Sequence, residues 1–179
     1  MKEMTDKALR LGIIGAVAAL LLSVVNNFTE PVIAQRKADE LNKALTVLAD
    51  GGSPGSAEEN PAEGVATRWS IDGDKGWILE LEGSGYGGPM TVVASYRNDG
   101  SIILARLMEN NETVGFGKNA ENPDYMKIFI GTGGDTPVPR NKADLGADVD
   151  TVSGATITFT GITEALREGS DLVKEWEGR

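Results

Sequence analysis

The fold class follows from MTVVASYRNDGSIILARLM, residues 90–108. Met90 to Arg97 and Ser101 to Met108 are rich in β-branched and other apolar residues, a composition typical of strands. Between them stands Asn98-Asp99-Gly100, a strong hairpin signal because these residue types tolerate the positive φ angles that tight turns need. The stretch therefore predicts two antiparallel strands.

A second hairpin is predicted on the N-terminal side of the first. Val65 to Ile71 and Gly76 to Leu81 have strand composition and flank Asp72-Gly73-Asp74-Lys75. This aspartate pair resembles the start of a calcium-binding loop, but the later ligands of such a loop are missing, so a turn is the better interpretation. The preceding stretch, Asp50 to Gly64, is rich in Gly, Ser, Pro and Glu and predicts a solvated loop.

The C-terminal part of the chain is predicted to be helical. Its apolar residues recur at helical spacing, at Ile162, Ala165, Leu166, Leu172, Val173 and Trp176. Gly169 lowers the helix propensity in the middle of this run. A sheet followed by a helix indicates the α+β class, and a length of 179 residues fits one domain with accessory segments.

One segment near the N-terminus has the properties of a membrane span. Leu11 to Thr29 carries no charge, and as a helix it would cover roughly 28 Å, close to the thickness of a hydrocarbon core. A cleaved signal peptide is the alternative, because Lys2, Lys7 and Arg10 could form its basic region and Val32-Ile33-Ala34 its cleavage site. We expect a retained anchor.

The basic residues before the span predict its orientation. They place the short N-terminus in the cytoplasm and the rest of the chain outside, although Arg36, Lys37 and Lys43 follow the span and reduce the asymmetry. After Pro31, the helical pattern of Val32 to Ala49 indicates a stalk that continues the membrane helix.

These expectations divide the chain into four parts. They are a cytoplasmic tail (1–10), a transmembrane helix (11–29), a stalk helix with linker (30–64), and an extracytoplasmic domain (65–179). The protein would be a single-pass protein of the inner or plasma membrane.

The composition excludes several kinds of chemistry. The chain has no cysteine and no histidine. It can therefore ligate no iron–sulfur cluster, form no disulfide, and use no thiol or imidazole catalysis. The formal net charge of −10 argues against nucleic acid as a partner. Any redox chemistry must come from an organic cofactor, for which a flavin is suitable. We expect no metal ion and no catalytic side chain.

The segment Asp150-Thr151-Val152-Ser153-Gly154-Ala155-Thr156 points to such a cofactor. A Ser-Gly turn that caps a helix would explain it without any cofactor. However, it also resembles the acceptor motif of the FMN-binding domain family, in which a flavin transferase attaches FMN through a phosphodiester. The resemblance implies that the Thr156 hydroxyl carries the FMN and that Asp150 assists the transferase.

The neighbours of Thr156 suit this role physically. Gly154 and Ala155 keep the backbone slim, so that a transferase and a phosphate can approach. Ser153 and Thr156 precede the predicted terminal helix, whose unpaired N–H groups would stabilise the phosphate charge.

Three further segments resemble the same family. They are Gly85-Tyr86-Gly87-Gly88-Pro89-Met90, Glu112-Thr113-Val114-Gly115-Phe116-Gly117, and Asp124 to Gly131. The second departs from the family pattern at Val114 and Phe116, where Pro and Leu are usual. The resemblance implies that Glu112, Thr113, Gly115 and Gly117 also contact the cofactor, although a surface turn after a strand would explain this loop without one. Thr158 is a further hydroxyl residue near the helix entry, and we expect it at the cofactor site as well. Tyr125 and Phe129 stand four residues apart, and core packing is enough to explain them.

Order and length are most similar to the family of G subunits from Rnf-type electron transport complexes; the related C subunits of sodium-pumping quinone reductases are longer. The resemblance implies an electron-relay subunit of an oxidoreductase that oxidises reduced ferredoxin, reduces NAD and exports sodium ions or protons. Its partners would be the other membrane subunits, the iron–sulfur subunits and the flavin transferase. Two alternatives are a stand-alone flavoprotein electron carrier and an unflavinylated structural or assembly subunit.

Overall fold

The computed structural model describes residues 2–73, 75–152 and 155–178, without the side chains of Ala147, Asp148 and Thr151. The chain divides into two compact units, Met1–Asn42 and Lys43–Arg179.

The first unit is formed by most of a single helix, α1 (Lys2–Leu48, 47 residues). This helix is long and apolar enough to cross a membrane. It continues through Pro31, although proline removes one helical hydrogen bond. The helix predicted for Val32 to Ala49 is therefore continuous with the apolar segment; its role as a stalk stays a prediction.

The second unit is built on a five-stranded antiparallel sheet in the order β1-β2-β3-β4-β5. Its strands are β1 (Pro54–Ala62), β2 (Val65–Ile71), β3 (Trp77–Gly85), β4 (Gly88–Tyr96) and β5 (Ile102–Glu109). Short helical segments follow, and the chain ends in the long helix α3. The short segments are a 3-10 turn (Gly117–Glu121), α2 (Pro123–Met126) and two more 3-10 segments (Lys127–Phe129 and Lys142–Val152). Helix α3 comprises Thr156–Glu177. The α+β class is confirmed.

Both predicted hairpins are present. β4 and β5 are joined by Asn98-Asp99-Gly100, where Gly100 has a φ of +82° and Ser101 N–H donates to the Asp99 carboxylate over 2.8 Å. In the turn that joins β2 to β3, Asp72 and Gly73 have positive φ values of 39° and 77°, and Lys75 N–H donates to the Ile71 carbonyl over 3.0 Å. Asp74 of the same predicted turn lies outside the described residues.

The solvated loop predicted for Asp50 to Gly64 is wrong, because most of it forms strand β1. β1 is an edge strand that pairs with β2, from Pro54 opposite Ile71 to Ala62 opposite Val65. Its side chains are mostly exposed, so it lacks the alternation of apolar residues that marks a half-buried strand. Prolines and charged residues are typical of sheet edges. Strand β1 is held by backbone hydrogen bonds to β2. Such bonds do not require a pattern of apolar side chains in the sequence.

The core lies between the sheet and one face of α3. Phe159, Ile162, Leu166 and Val173 of α3 are fully buried. Tyr96 of β4 is also buried, and its hydroxyl donates to the Leu166 carbonyl over 3.1 Å. The helical face predicted from the spacing is therefore the face that packs on the sheet.

Two helix glycines allow this close packing. A Cβ on Gly169 would lie 2.6 Å from the Tyr96 hydroxyl oxygen, and one on Gly161 would lie 2.0 Å from the Ser84 carbonyl oxygen. Gly169 lowers the propensity of the helix, as expected, but it lets α3 approach β4.

Candidate cofactor site

The start of α3 is open to solvent. Its first residue, Thr156, is exposed, and the N-cap residue Ala155 has no side-chain oxygen that could accept a hydrogen bond. The first intrahelical bond in this turn runs from Phe159 N–H to the Ala155 carbonyl over 3.0 Å. The N–H groups of the residues before Phe159 have no partner within the helix, and such groups favour an anion.

Opposite this helix start lies the loop from Glu112 to Gly117. The Thr113 carbonyl accepts from Phe116 N–H and Lys118 N–H, both over 3.2 Å, which folds the loop into a tight turn. Gly115 within it has a φ of +82°, a conformation that favours glycine. The predicted importance of this glycine therefore has a backbone reason that is independent of any ligand.

Glu112 connects the loop to the two other walls of the site. Its side chain is buried, with 6 % of its surface exposed. One carboxylate oxygen accepts from Gly87 N–H over 3.0 Å, and the other accepts from the Thr158 hydroxyl over 2.8 Å. Its own N–H donates to the Asn110 side chain over 3.1 Å. Three segments that are distant in sequence thus meet at one carboxylate.

The β3–β4 hairpin forms the third wall. Gly85 pairs with Gly88, which leaves Tyr86 and Gly87 as the two residues of the turn. A Cβ on Gly87 would lie 2.1 Å from the Asn111 carbonyl oxygen. Glycine is therefore needed here for the hairpin tip to lie against the segment that carries Glu112.

These three walls enclose a pocket of about 310 Å³. It is lined by Tyr86, Glu112, Thr113, Phe116, Gly117, Ala155, Thr156, Ile157 and Thr158. Three of the lining side chains are apolar yet largely exposed: Tyr86 by 75 %, Phe116 by 56 % and Ile157 by 54 %. The arrangement combines a helix start suited to an anion, an exposed threonine and apolar walls that a flat ring could cover.

Most of the residues predicted for the site converge on this pocket. Glu112, Thr113, Gly117, Ala155, Thr156 and Thr158 all line it. Gly115 shapes the adjoining turn, and Asp150 is exposed in the 3-10 segment Lys142–Val152. Ser153 and Gly154 lie outside the described residues. Their roles toward a cofactor stay predictions.

Three of the residues that line the pocket, Tyr86, Phe116 and Ile157, are not among those predicted from the sequence. Tyr86 and Phe116 stand inside two of the glycine-rich segments that resemble the FMN-binding family. An aromatic residue flanked by glycines could therefore have indicated a contact with the cofactor. Ile157 gave no such signal. Conversely, Tyr125 and Phe129 belong to the core, as packing predicted: both are buried, and the Phe129 ring stacks on Phe159 with centroids 5.9 Å apart.

Comparison with known proteins agrees with this geometry. The FMN-binding domain family matches residues 85–171, which include all of the residues that line the pocket. The family described as the RnfG N-terminal region matches residues 1–48, the span of α1. The G subunit of the ion-translocating oxidoreductase complex of Cereibacter sphaeroides is 30 % identical over 185 residues, covering 92 % of this chain and 81 % of its own. The chain belongs to the Rnf G-subunit family.

Two other relatives extend the similarity of this Rnf G-subunit family member to distant organisms. The G subunit of the ion-translocating oxidoreductase complex of Methanosarcina acetivorans is 28 % identical over 191 residues, covering 99 % of this chain and 98 % of its own. The G subunit of the proton-translocating ferredoxin:NAD(+) oxidoreductase complex of Clostridium ljungdahlii is 24 % identical over 165 residues, with 90 % and 87 % coverage. The family resemblance stated from the motifs is thereby confirmed.

Proposed function

We propose that this chain carries FMN, linked by a phosphodiester to Oγ1 of Thr156, and relays electrons within a membrane ferredoxin:NAD oxidoreductase complex that translocates sodium ions or protons. The observation that carries the proposal is the exposed Thr156 hydroxyl at the open start of α3, on the wall of the pocket. When bound, the flavin supplies the electron-transfer chemistry that the side chains of this chain cannot supply.

The phosphate end of FMN fits the residues present. In the diester, Thr156 Oγ1 replaces one phosphate oxygen, so the net change is the addition of FMN with the loss of one water. The linked phosphate keeps one negative charge. The unpaired N–H groups in the first turn of α3 favour an anion there.

The ring of FMN also fits. A pocket of about 310 Å³ is within the range typical of small-molecule sites. Tyr86, Phe116 and Ile157 offer apolar surface that an aromatic ring would cover, and Gly117 keeps the inner wall free of a side chain.

Exposure favours Thr156 over its neighbour as the attachment point. Thr158 is 1 % exposed, and its hydroxyl donates to Glu112 over 2.8 Å. A transferase could reach it only by opening the core. Thr156 is exposed, so a transferase could reach its hydroxyl without opening the core.

The wider organisation follows from α1 and from the composition. We propose that residues 11–29 of α1 span the inner or plasma membrane, that residues 1–10 lie in the cytoplasm, and that the FMN domain (65–179), after the segment 30–64, lies outside. The transferase must then act outside. Because the chain has no cysteine or histidine, the iron–sulfur clusters of the complex must be held by other subunits.

Intact mass spectrometry of the purified full-length chain tests the proposal. We expect a mass larger than the polypeptide by FMN minus one water, together with a fluorescent band in a denaturing gel. Thr156→Ala should abolish both signals, whereas Thr160→Ala on the next turn of α3 should keep both. A colourless wild-type chain with the mass of its amino acids would favour the unflavinylated structural subunit instead.

The stand-alone alternative needs a different measurement. We expect the detergent-solubilised protein to co-purify with the multi-span and iron–sulfur subunits of the complex. Purification of the flavinylated chain without them, at full occupancy of flavin, would favour an independent electron carrier.

A further inference from the structure

We propose that the Glu112 carboxylate is a fixed negative charge that lowers the redox potential of the flavin in this pocket. This role rests on the proposed function, because it requires FMN to occupy the site. It goes beyond a contact with the cofactor, since the carboxylate would set how readily the flavin accepts electrons.

The first support is the way in which Glu112 is held. It lines the pocket but is only 6 % exposed. Both carboxylate oxygens act as acceptors, one from Gly87 N–H (3.0 Å) and one from the Thr158 hydroxyl (2.8 Å). Two accepted bonds suit the ionised form, which has acceptors only.

The second support is the absence of a compensating cation. Among the residues that the structure describes, no lysine or arginine forms an ion pair with Glu112. Both of its hydrogen-bond donors are neutral groups. They stabilise the carboxylate without cancelling its charge, and burial limits screening by water.

The third support is that the surrounding backbone is shaped around this carboxylate. A Cβ on Gly85 would lie 2.0 Å from one Glu112 oxygen, and one on Gly117 would lie 2.2 Å from the other. Two chain segments therefore omit side chains at the places where the carboxylate sits. A glutamine at position 112 could also join these segments through its neutral amide. The joining of the walls therefore does not explain why this position carries a charge.

The effect on the flavin follows from electrostatics. Oxidised FMN takes up two electrons from a reduced redox partner, and each proton taken up from water cancels one of the added charges. Any negative charge that is not cancelled is repelled by Glu112, so reduction becomes less favourable. A unit charge within about 10 Å, at an effective dielectric constant of about 20, changes such an equilibrium roughly tenfold.

Redox titration of the full-length flavinylated chain in detergent tests the proposal. At about pH 9, Glu112→Gln should move the oxidised–reduced equilibrium about tenfold toward the reduced form. For a two-electron couple, this is a positive shift of about 30 mV. Glu59→Gln, which removes an exposed charge on β1, should leave the potential unchanged.

Glu112→Asp separates charge from shape. It keeps the charge but is one methylene too short to reach both donors, so it should lower thermal stability and leave the potential at or below that of the wild type. A positive shift in Glu112→Asp as large as that in Glu112→Gln would mean that shape rather than charge sets the potential. An unchanged potential in Glu112→Gln would also overturn the proposal.

Thr158→Val decides the question if Glu112→Gln does not fold. It removes one neutral donor and keeps the carboxylate, so the potential at about pH 9 should become more negative; an unchanged or more positive value would overturn the proposal. Intact mass is measured on every sample. A wild-type chain without flavin contradicts the proposed function, whereas a flavinylated chain with insensitive potentials contradicts this inference alone.

Discussion

Thr156 and Thr158 stand two residues apart in the first turn of α3, yet their surroundings give them different roles. Thr156 faces solvent at the pocket wall, whereas Thr158 is buried and donates to Glu112. Identical hydroxyl chemistry is thus available for modification at one position and used for structure at the other. The local sequence contains both threonines, but only their burial distinguishes them.

At the residue scale, Thr158→Val should destabilise the protein by about 1–3 kcal/mol, because it leaves one buried oxygen of Glu112 without a partner. Thr156→Val, which removes an exposed hydroxyl, should change the free energy of unfolding by less than about 0.5 kcal/mol. Chemical denaturation of the unflavinylated proteins checks both values. Equal losses in the two variants would contradict the structural role of the Thr158 hydroxyl.

A second prediction at this scale concerns the loop glycines. Gly117→Ala should cost about 1–3 kcal/mol of stability, because its Cβ would meet a Glu112 oxygen at 2.2 Å. Gly115→Ala meets no atom within 4 Å, but at a φ of +82° it should cost about 1–2 kcal/mol through backbone strain. Only Gly117→Ala should also shift the flavin absorption spectrum, since Gly117 lines the pocket and Gly115 does not.

Among the elements, α3 shows packing overriding propensity. Gly161 and Gly169 weaken the helix intrinsically, but each lies where a side chain would collide with β3 or β4. In strand β1, tertiary pairing also overrides composition: backbone pairing with β2 forms a strand where the composition predicted a loop. Both outcomes depend on what lies opposite the element.

Gly161→Ala tests the packing of α3. Helix propensity alone would favour alanine by about 1 kcal/mol. A Cβ placed 2.0 Å from the Ser84 carbonyl should outweigh this gain, so we expect a net loss of about 1–3 kcal/mol in denaturant unfolding. Glu164→Ala on the exposed face of the same helix is the control and should stay within about 0.5 kcal/mol of the wild type. A stabilised Gly161→Ala protein would contradict the close approach of α3 and β3.

For the whole molecule, the missing residue types are as informative as those present. Without cysteine or histidine, the chain needs a cofactor for redox chemistry and has no thiolate or imidazole with which to ligate a metal cluster. The family match to α1 and the family match to the FMN domain together fit a protein that joins an apolar helix to a redox domain.

The absence of cysteine also makes the proposed topology directly measurable. Single cysteines at Ala8, near the start of α1, and at the exposed Thr136 have no native thiol as background. In intact cells, a membrane-impermeant maleimide should label Thr136→Cys and leave Ala8→Cys unlabelled until the membrane is permeabilised. The reverse pattern would place the FMN domain in the cytoplasm and contradict the orientation inferred from Lys2, Lys7 and Arg10.

Features that depend on neighbours along the chain could be predicted from the amino-acid order. The apolar span, the two hairpin turns, the amphipathic face of α3 and the Thr156 motif each depend on a short run of residue types with a direct backbone or solvation consequence. The folded structure was needed to show that Glu112 meets Thr158, 46 residues away, and Gly87, 25 residues away. It was also needed to show that β1 is a strand. Contacts at such separations depend on which surfaces the folded sheet and helix bring together, and no local propensity encodes them.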